Sequence, residues 1–283
     1  MKTSIVMPIF NEEKTIADVL NNLLKLKKDD WEILVIDDGS TDRTFDILNS
    51  FSGIRVIKHP KNRGYGAALK SGIEAASYDY VLMIDADGTY PVEEIPLLMK
   101  YAEDADMVVG ARTGEDVNIP WLRRPAKAIL NSLANYLSET KIPDLNSGFR
   151  IFKKEIISKF FHILPNGFSF TTTITLTLLV NNYNVIYVPV NYHKRKGKSK
   201  FHPIKDTMNF FLLIIRTIMY FNPLKIFLPL SGLLFFIGIG ILFYSHFIMG
   251  RIMDVTTVLC IVSAIQIAVI GLLADLIDKR LQR

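Results

Sequence analysis

The sequence predicts an α/β domain with a parallel β-sheet, followed by a hairpin of two membrane-spanning helices. Two observations predict the sheet: short apolar segments alternate with helical patterns over residues 1 to about 200, and acidic residues directly follow two of these segments. Strands that alternate with helices favour parallel pairing through right-handed crossovers. The hairpin is predicted by two long segments near the C-terminus that lack charged side chains.

The predicted elements follow one another without a repeat or a low-complexity linker, so they form one domain large enough for a full core. The predicted strands cover residues 4–7, 32–36, 54–58, 80–84, 106–110 and 185–192, and the predicted helices cover residues 15–26, 43–50 and 66–76. Gly39 permits a tight turn after the second strand, and Ser40 to Asp42 are candidate N-caps for the next helix. Gly64 and Gly66 open the third helix, where free backbone N–H groups can face an anion.

The two segments without charge predict the membrane hairpin. Residues 226–250 and 255–274 contain no Asp, Glu, Lys or Arg, and only Arg251 and Asp254 are charged between them. Each segment is about as long as the roughly 20 residues that a helix needs to cross a bilayer core. The alternative, two buried helices of a soluble protein, is disfavoured because such helices normally carry a charged face. We therefore predict spans at about 226–250 and 255–277.

The chain is predicted to have three parts: a soluble domain at 1–205 with a surface helix at about 121–138, an interfacial helix at 206–222, and the hairpin at 223–283. The positive-inside rule places the soluble domain and both termini in the cytoplasm. The flanking basic residues behind this prediction are Lys194, Arg195, Lys196, Lys198, Lys200, Lys205, Arg216, Lys279, Arg280 and Arg283. The first residues lead directly into a strand and lack the apolar segment of a signal peptide.

Charge and cysteine content argue against several classes of function. The formal net charge of +5 is modest, and basic residues close to the membrane favour anionic lipid head groups over nucleic acid. No RNA- or DNA-binding motif is visible in the sequence. The single cysteine, Cys260, lies in the second predicted span, which excludes an intramolecular disulfide and a cysteine metal site.

Two acidic clusters follow two of the predicted strands. The first is Asp37, Asp38 and Asp42, and the second is Asp85 and Asp87. Open α/β sheets bind ligands at the carboxyl ends of their strands, so we expect one site that holds a divalent metal and a phosphate-bearing ligand. For Asp37 and Asp38, the alternative is turn formation and helix capping, and Asp42 is better explained as a cap.

Four motifs together resemble glycosyltransferase family 2. They are Val6-Met7-Pro8-Ile9-Phe10-Asn11-Glu12-Glu13, Asp37-Asp38-Gly39-Ser40-Thr41-Asp42, Asn62-Arg63-Gly64 and Asp85-Ala86-Asp87. The resemblance implies the Rossmann-like GT-A fold, which binds a nucleotide sugar. With its hairpin, the chain is more closely similar to polyprenyl-phosphate glycosyltransferases, which include dolichyl-phosphate mannose synthases and bacterial undecaprenyl-phosphate sugar transferases.

The resemblance implies a donor site and a metal site. Asp37 would accept hydrogen bonds from the base or the ribose. Asp85 and Asp87 would hold Mg²⁺ or Mn²⁺ against the donor diphosphate, with Asp87 as the more direct ligand. The other residues implied in substrate binding are Pro8, Phe10, Glu12, Asp38, Arg63 and Gly64. Dolichyl-phosphate mannose synthases commonly continue the motif as Asp-x-Asp-x-Gln, whereas this chain has Thr89, which offers only a hydroxyl.

The resemblance also implies a cationic site for the lipid phosphate. Arginine suits phosphate because its guanidinium group offers paired donors in a fixed plane. The cations assigned to it are Arg123, Arg124, Arg150, Arg195 and Lys200. The predicted catalytic residues are Asp87, Arg123 and Arg150. Alternatives stay open for the cations: lipid anchoring for Arg123 and Arg124, positive-inside topology for the basic segment at 195–200, and a structural ion pair for Arg150.

We expect an inverting transfer of a hexose from a nucleotide sugar, GDP-mannose or UDP-glucose, to a polyprenyl phosphate at the cytoplasmic membrane face. The acceptor phosphate is already ionised near neutral pH, so it can attack without a general base. The alternatives are transfer to a glycan or another lipid, and a catalytically silent membrane scaffold. A homo-oligomer is a further option, because Gly232, Gly238 and Gly240 would permit close helix approach.

Overall fold

The structure is a computed structural model. It describes residues 1–113, 132, 134–136, 138–167, 169–193, 208, 211, 212, 214–216, 219, 220, 222–250 and 254–281. The chain divides into two compact units, Met1–Phe210 and Phe211–Arg283. The first unit contains an α/β sheet and the second contains two long apolar helices, so the predicted fold class is confirmed.

Within the described residues, the first unit is built on a seven-stranded mixed sheet. The strands are β1 (Thr3–Ile9), β2 (Trp31–Asp37), β3 (Arg55–Lys58), β4 (Tyr80–Met83), β5 (Met107–Arg112), β6 (Arg150–Lys153) and β7 (Val185–Val190). Their order is β3-β2-β1-β4-β6-β5-β7, and β6 is antiparallel to both of its neighbours. The predicted parallel sheet is therefore mixed, and the four-residue strand β6 was not among the predicted strands.

Helices cover both faces of the sheet. In the first unit they are α1 (Ile16–Leu26), α2 (Thr44–Asn49), α3 (Tyr65–Ala75), α4 (Ile95–Ala102), α5 (Lys154–Lys159) and α6 (Phe170–Val180), with a 3-10 turn at Val92–Glu94. Successive strand residues point to opposite faces. Accordingly, Ile5 and Met7 of β1 join the core under α1, whereas Val6 joins the core under α3 with Leu69 and Ile73.

The pairing of β1 brings both acidic clusters to one edge of the sheet. β1 runs parallel to β2 on one side and to β4 on the other. Ile9 lies opposite Asp37, and Val6 lies opposite Met83. The segments that follow these three strands therefore leave the sheet at the same edge, which is where an open α/β sheet binds its ligand.

The second unit is a hairpin of α7 (Leu224–Phe247) and α8 (Asp254–Leu281). By length and composition, Leu224–Phe247 and Val255–Ile277 are able to cross a membrane. The Ser231 hydroxyl donates a hydrogen bond to the Ala264 carbonyl oxygen at 2.7 Å. This bond satisfies a polar side chain inside the helix pair.

The glycines of the hairpin differ in whether they lie against the other helix. A Cβ atom added at Gly238 would lie 2.9 Å from Cys260 Cβ, so Gly238 permits the close approach of α7 and α8. An added Cβ at Gly232 or Gly240 would meet no described atom within 4 Å. Of the three glycines singled out in the sequence, only Gly238 is therefore used for packing inside the hairpin.

The two predicted interfacial helices lie mostly outside the described residues. In the helix predicted at 121–138, residues 132, 134–136 and 138 are described and are helical, and Ala134 is buried. The helix predicted at 206–222 is also described only in part.

Candidate active site

Asp37 ends β2 with its carboxylate buried at the ligand-binding edge of the sheet. Its Oδ1 accepts a hydrogen bond from the Ser40 backbone N–H at 2.9 Å. Its Oδ2 is buried and has no hydrogen-bond partner among the described residues. A buried carboxylate oxygen without a donor is unfavourable. Asp37 Oδ2 is thus a hydrogen-bond acceptor that no described residue uses.

Asp38 holds the glycine-bearing loop that precedes α3. Its Oδ1 accepts a hydrogen bond from the Arg63 backbone N–H at 2.9 Å and lies 2.7 Å from His59 Nδ1. Its Oδ2 accepts a hydrogen bond from the Gly64 N–H at 2.8 Å. Gly64 has φ +100°, and a side chain there would overlap the Asn166 carbonyl group. The structure therefore brings Asp38, Arg63 and Gly64 together, with Asp38 fixing the loop.

The segment after β1 is tied to the start of α2. The Glu12 backbone N–H donates a hydrogen bond to Thr44 Oγ1 at 2.9 Å, and Glu12 Oε2 accepts one from the Thr15 hydroxyl at 3.1 Å. Pro8 is buried within β1, whereas Phe10 and Glu12 are half-buried just beyond the strand. These three predicted substrate-binding residues therefore lie at the same edge as Asp37.

Asp85 is fixed from two sides. The Tyr65 hydroxyl donates a hydrogen bond to Asp85 Oδ1 at 2.8 Å. Burial and the adjacent Asp85 carboxylate raise the pKa of Tyr65, so the phenol keeps its proton. On the other side, the Asp85 carboxylate packs against Gly148, where an added Cβ atom would overlap it. Both contacts restrict where the Asp85 carboxylate can lie.

Asp87 is oriented by Thr89. Asp87 Oδ1 accepts hydrogen bonds from the Thr89 hydroxyl at 2.6 Å and from the Thr89 backbone N–H at 3.1 Å. The turn between them passes through Gly88, which has φ +71°. Thr89 stands where the mannose synthase motif has glutamine. Its short hydrogen bond therefore orients the Asp87 carboxylate.

Tyr90 belongs to a network that the sequence analysis missed. Its hydroxyl oxygen accepts a hydrogen bond from the Gly148 N–H at 2.9 Å and one from the Ser147 hydroxyl at 3.3 Å. The Tyr90 ring packs against Phe149 and Tyr192, with ring centroids 5.6 and 5.2 Å apart. Tyr90 thus connects the loop that carries Asp85 and Asp87 to the segment that carries Gly148.

A partly buried ion pair between Arg112 and Asp144 anchors the start of that segment. Arg112 Nε donates to Asp144 Oδ2 at 2.7 Å, and Arg112 Nη2 donates to Oδ1 at 2.8 Å. Burial would raise the pKa of Asp144, but the hydrogen bonds and charge of Arg112 outweigh it and lower that pKa. The guanidinium carbon also lies 5.3 Å from the centre of the Tyr192 ring. The sequence analysis did not identify this pair either.

Arg150 lies completely buried in the core. Its Nε donates to the Ser147 carbonyl at 2.7 Å, its Nη2 to the Leu145 carbonyl at 3.0 Å, and its Nη1 to Thr175 Oγ1 at 2.5 Å. In this structure, every guanidinium nitrogen of Arg150 donates to a protein group. These bonds hold the 145–149 segment by its carbonyl groups, and the catalytic role of Arg150 stays a prediction.

A groove of about 570 Å³ adjoins Asp87, between α1 and residues 87–93. Asn22, Lys25 and His193 contribute to its lining. The His193 backbone N–H donates a hydrogen bond to the Thr89 carbonyl at 2.8 Å, so the chain reaches this groove just before the basic segment. The four remaining predicted acceptor cations lie outside the described residues: Arg123, Arg124, Arg195 and Lys200.

The chemistry of Asp85 and Asp87 fits a divalent cation that is shared with a substrate. Among the described residues, no group of three or more His, Cys, Asp or Glu side chains could hold a metal ion. Mg²⁺ usually binds one or two carboxylates together with substrate phosphates and water. Two carboxylates on one loop therefore suit an ion that is bound together with a diphosphate.

Comparisons with known proteins agree with this arrangement. Residues 4–161 match the model of glycosyl transferase family 2, and residues 222–279 match the GtrB C-terminal hairpin. A dolichyl-phosphate hexose transferase of Haloferax volcanii is 29% identical over 202 residues, which cover 71% of this chain and 86% of that protein. An undecaprenyl-phosphate 4-deoxy-4-formamido-L-arabinose transferase of Pseudomonas fluorescens is 31% identical over 269 residues, which cover 88% of this chain and 73% of that protein.

The fold has solved counterparts. Glucosyl-3-phosphoglycerate synthase from Mycobacterium tuberculosis, in complex with Mn²⁺, UDP-glucose and phosphoglyceric acid, aligns with a TM-score of 0.61 at 22% identity. The alignment covers 77% of this chain and 79% of that one, and it supports the GT-A fold. Since the family match covers more than half of the sequence and a relative above 30% identity covers most of it, this chain belongs to glycosyl transferase family 2.

Proposed function

We propose that this protein transfers a hexose from a nucleotide sugar, GDP-mannose or UDP-glucose, to a polyprenyl phosphate, with inversion at the anomeric carbon. The observation that carries the proposal is the combination, in one chain, of a glycosyltransferase site and an apolar helical hairpin. The relatives named for dolichyl-phosphate and undecaprenyl-phosphate transfer support the same acceptor class.

The donor nucleotide would bind across the carboxyl ends of β1, β2 and β4. Asp37 Oδ2, buried and without a partner among the described residues, supports an N–H or O–H donor from the base or the ribose at this point. Asp85 and Asp87 would hold Mg²⁺ or Mn²⁺ together with the diphosphate. When bound, such an ion stabilises the negative charge that develops on the departing nucleoside diphosphate.

The acceptor would be placed by cations at the membrane surface. Arg123, Arg124, Arg195 and Lys200 are proposed to bind its phosphate, since they flank segments predicted to lie near the interface. A phosphate monoester is already anionic near neutral pH, so its oxygen can attack the anomeric carbon without a base. Catalysis would then depend on alignment of the two substrates and on electrostatic stabilisation of the leaving group.

The distribution of basic residues supports a site on the cytoplasmic side of the membrane. Basic residues precede and follow the hairpin, and the positive-inside rule then favours cytoplasmic termini and a cytoplasmic soluble domain. Nucleotide sugars would reach the site from the aqueous side, and the polyprenyl chain would remain in the bilayer.

The proposal is tested by incubating the full chain in liposomes that contain polyprenyl phosphate with a panel of radiolabelled GDP- and UDP-sugars. We expect one donor to label the lipid, EDTA to abolish the labelling, and Mg²⁺ or Mn²⁺ to restore it. An Asp87→Asn variant should lose the activity while it keeps the wild-type melting temperature. Labelling of a glycan or another lipid in place of polyprenyl phosphate, or donor binding without any transfer, would overturn the acceptor assignment.

A further inference from the structure

Gln266 places an exposed carboxamide at the middle of the second candidate span. It is the central residue of Val255–Ile277, and its side chain is exposed. At 1.5 Å per residue, about 16 Å of helix separates it from either end of the span. This depth corresponds to the centre of a hydrocarbon core about 30 Å thick. Among the described residues, no protein group forms a hydrogen bond with the Gln266 side chain.

Gln266 points away from the other helix of the hairpin. α8 contacts α7 through buried Ala264, whose carbonyl accepts the Ser231 hydrogen bond. Two residues along a helix correspond to a rotation of about 200°, so Gln266 lies on the face of α8 opposite Ala264. The surface that this residue shares with its exposed helical neighbours is called the Gln266 face; it comprises Leu259, Val262, Gln266, Ile270 and Leu273.

Lipid chains cannot satisfy a carboxamide. The group has two N–H donors and a carbonyl acceptor, and its transfer into an apolar medium without hydrogen bonds is unfavourable. Inside membranes, glutamine side chains commonly form hydrogen bonds across helix interfaces. A protein surface that covers the Gln266 face would be apolar over most of its area and would offer a donor and an acceptor at the same depth.

A second copy of the same face meets this requirement. Two copies inserted in the same orientation, related by a twofold axis along the membrane normal, bring each residue of the contact face opposite its own counterpart. The amide N–H of each Gln266 can then donate to the carbonyl oxygen of the other. The surrounding leucine, valine and isoleucine side chains would pack against their equivalents.

We infer that the Gln266 face joins two copies of this chain within the membrane through reciprocal hydrogen bonds between their Gln266 side chains. The inference rests on the membrane insertion that forms part of the proposed function. It adds to that proposal a defined interface and the residue that specifies it.

The experiment uses the full chain in liposomes, with Cys260→Ser to remove the native thiol. Leu273→Cys places a thiol on the Gln266 face, and Leu272→Cys is its matched control: the two leucines are 54% and 51% exposed, and they are about 100° apart around the helix. Each is combined with Gln266 or with Gln266→Leu, and disulfide cross-linking between copies is followed over time. Resistance to alkaline carbonate extraction reports membrane insertion separately.

We expect rapid cross-linking of Leu273→Cys, slow cross-linking of Leu272→Cys, and about tenfold weaker association with Gln266→Leu, as measured by dilution into excess lipid. Equal cross-linking at the two positions, or association unchanged by Gln266→Leu, would overturn the inference. Extraction of the protein by carbonate would overturn it as well, together with the membrane part of the proposed function. Sugar transfer that persists while cross-linking fails would overturn the dimer interface alone.

Discussion

The Asp85 carboxylate lies directly against the α-carbon of Gly148, in a space that no side chain at position 148 could share. This contact joins the loop after β4 to the segment before β6, two parts of the chain that are distant in sequence. Tyr90 makes a second link between the same two segments through the Gly148 N–H. The position of the candidate metal ligand is therefore set by a glycine that would touch no metal itself.

Replacement of Gly148 by alanine should displace Asp85. We expect Gly148→Ala to lower kcat/KM for sugar transfer about 100-fold, because a misplacement of about 1 Å can have an effect of this size. The matched control is Gly167→Ala, where an added Cβ atom meets no described atom within 4 Å. Steady-state kinetics would contradict the account if Gly148→Ala transferred sugar as fast as Gly167→Ala.

Asp37→Asn tests the nucleoside site. The asparagine would keep an oxygen for the Ser40 N–H but would present an NH₂ group in place of the unpartnered Oδ2. Loss of a hydrogen bond to a charged group costs about 1.5–3 kcal/mol, so the Kd of the nucleoside diphosphate should rise roughly 10- to 100-fold in titration calorimetry.

The control for this prediction is Asp42→Asn. Asp42 accepts hydrogen bonds from the backbone N–H groups of Thr44 at 2.9 Å and Glu13 at 3.3 Å, so it caps the local turn. Its substitution should lower the melting temperature and leave the Kd close to the wild-type value. Unchanged nucleotide affinity in Asp37→Asn would remove Asp37 from the donor site.

The Arg112–Asp144 pair predicts a pH-dependent stability. The pKa of Asp144 is lower in the folded protein than its ordinary value of 3.8, so the unfolded chain binds the proton first as the pH falls. The stabilisation is complete above pH 3.8 and is lost as the pH falls through the folded pKa. Asp144→Asn should lower the free energy of unfolding at pH 7 by about 1.5–3 kcal/mol, the usual contribution of a hydrogen bond to a charged group.

Thermal unfolding of both proteins from pH 7 to pH 3 checks this prediction. The difference in melting temperature between the wild type and Asp144→Asn should narrow below about pH 4, because Asp144 of the unfolded wild-type chain then takes up a proton and the folded protein loses part of the stabilisation by the ion pair. A difference that stays constant over the whole range would contradict the role given to the ion pair.

Arg150→Lys distinguishes a positioning role from a catalytic one. A lysine cannot reproduce the separate hydrogen bonds of the guanidinium group to Ser147, Leu145 and Thr175. We expect an unfolding free energy lower by about 3 kcal/mol together with slower sugar transfer, since the segment that carries Gly148 loses its anchor. The control is the same change at exposed Arg55, which should alter neither quantity. Lost activity with an unchanged melting temperature would support the catalytic assignment.

The sequence was sufficient to predict the strands and helices that have a clear pattern of apolar residues. The strand predicted at 32–36 is Trp31–Asp37, and the helix predicted at 66–76 is Tyr65–Ala75. β6 was overlooked because it has four residues and begins with a charged one, Arg150, which is buried here. α6, Phe170–Val180, shows no polar stripe because nearly all of its residues are buried.

The sequence likewise predicts some residues of the candidate site and leaves others unidentified. Asp37, Asp85 and Asp87 could be singled out because each follows an apolar strand, and strand pairing then brings them to one edge. Tyr90 and Gly148 are 58 residues apart, and nothing in the local pattern of either one indicates their hydrogen bond. Residues that position others through tertiary contacts become identifiable only when the fold places them side by side.

The chemical identity of the product decides whether polyprenyl phosphate is the acceptor. The full chain in liposomes is supplied with its nucleotide sugar and with equal amounts of polyprenyl phosphate and the corresponding polyprenol, and the lipids are analysed by mass spectrometry. We expect a glycosylated polyprenyl phosphate, no glycosylated polyprenol, and no product with Asp87→Asn. Sugar attached to polyprenol to an equal extent, or no lipid product although the donor binds, would contradict this expectation.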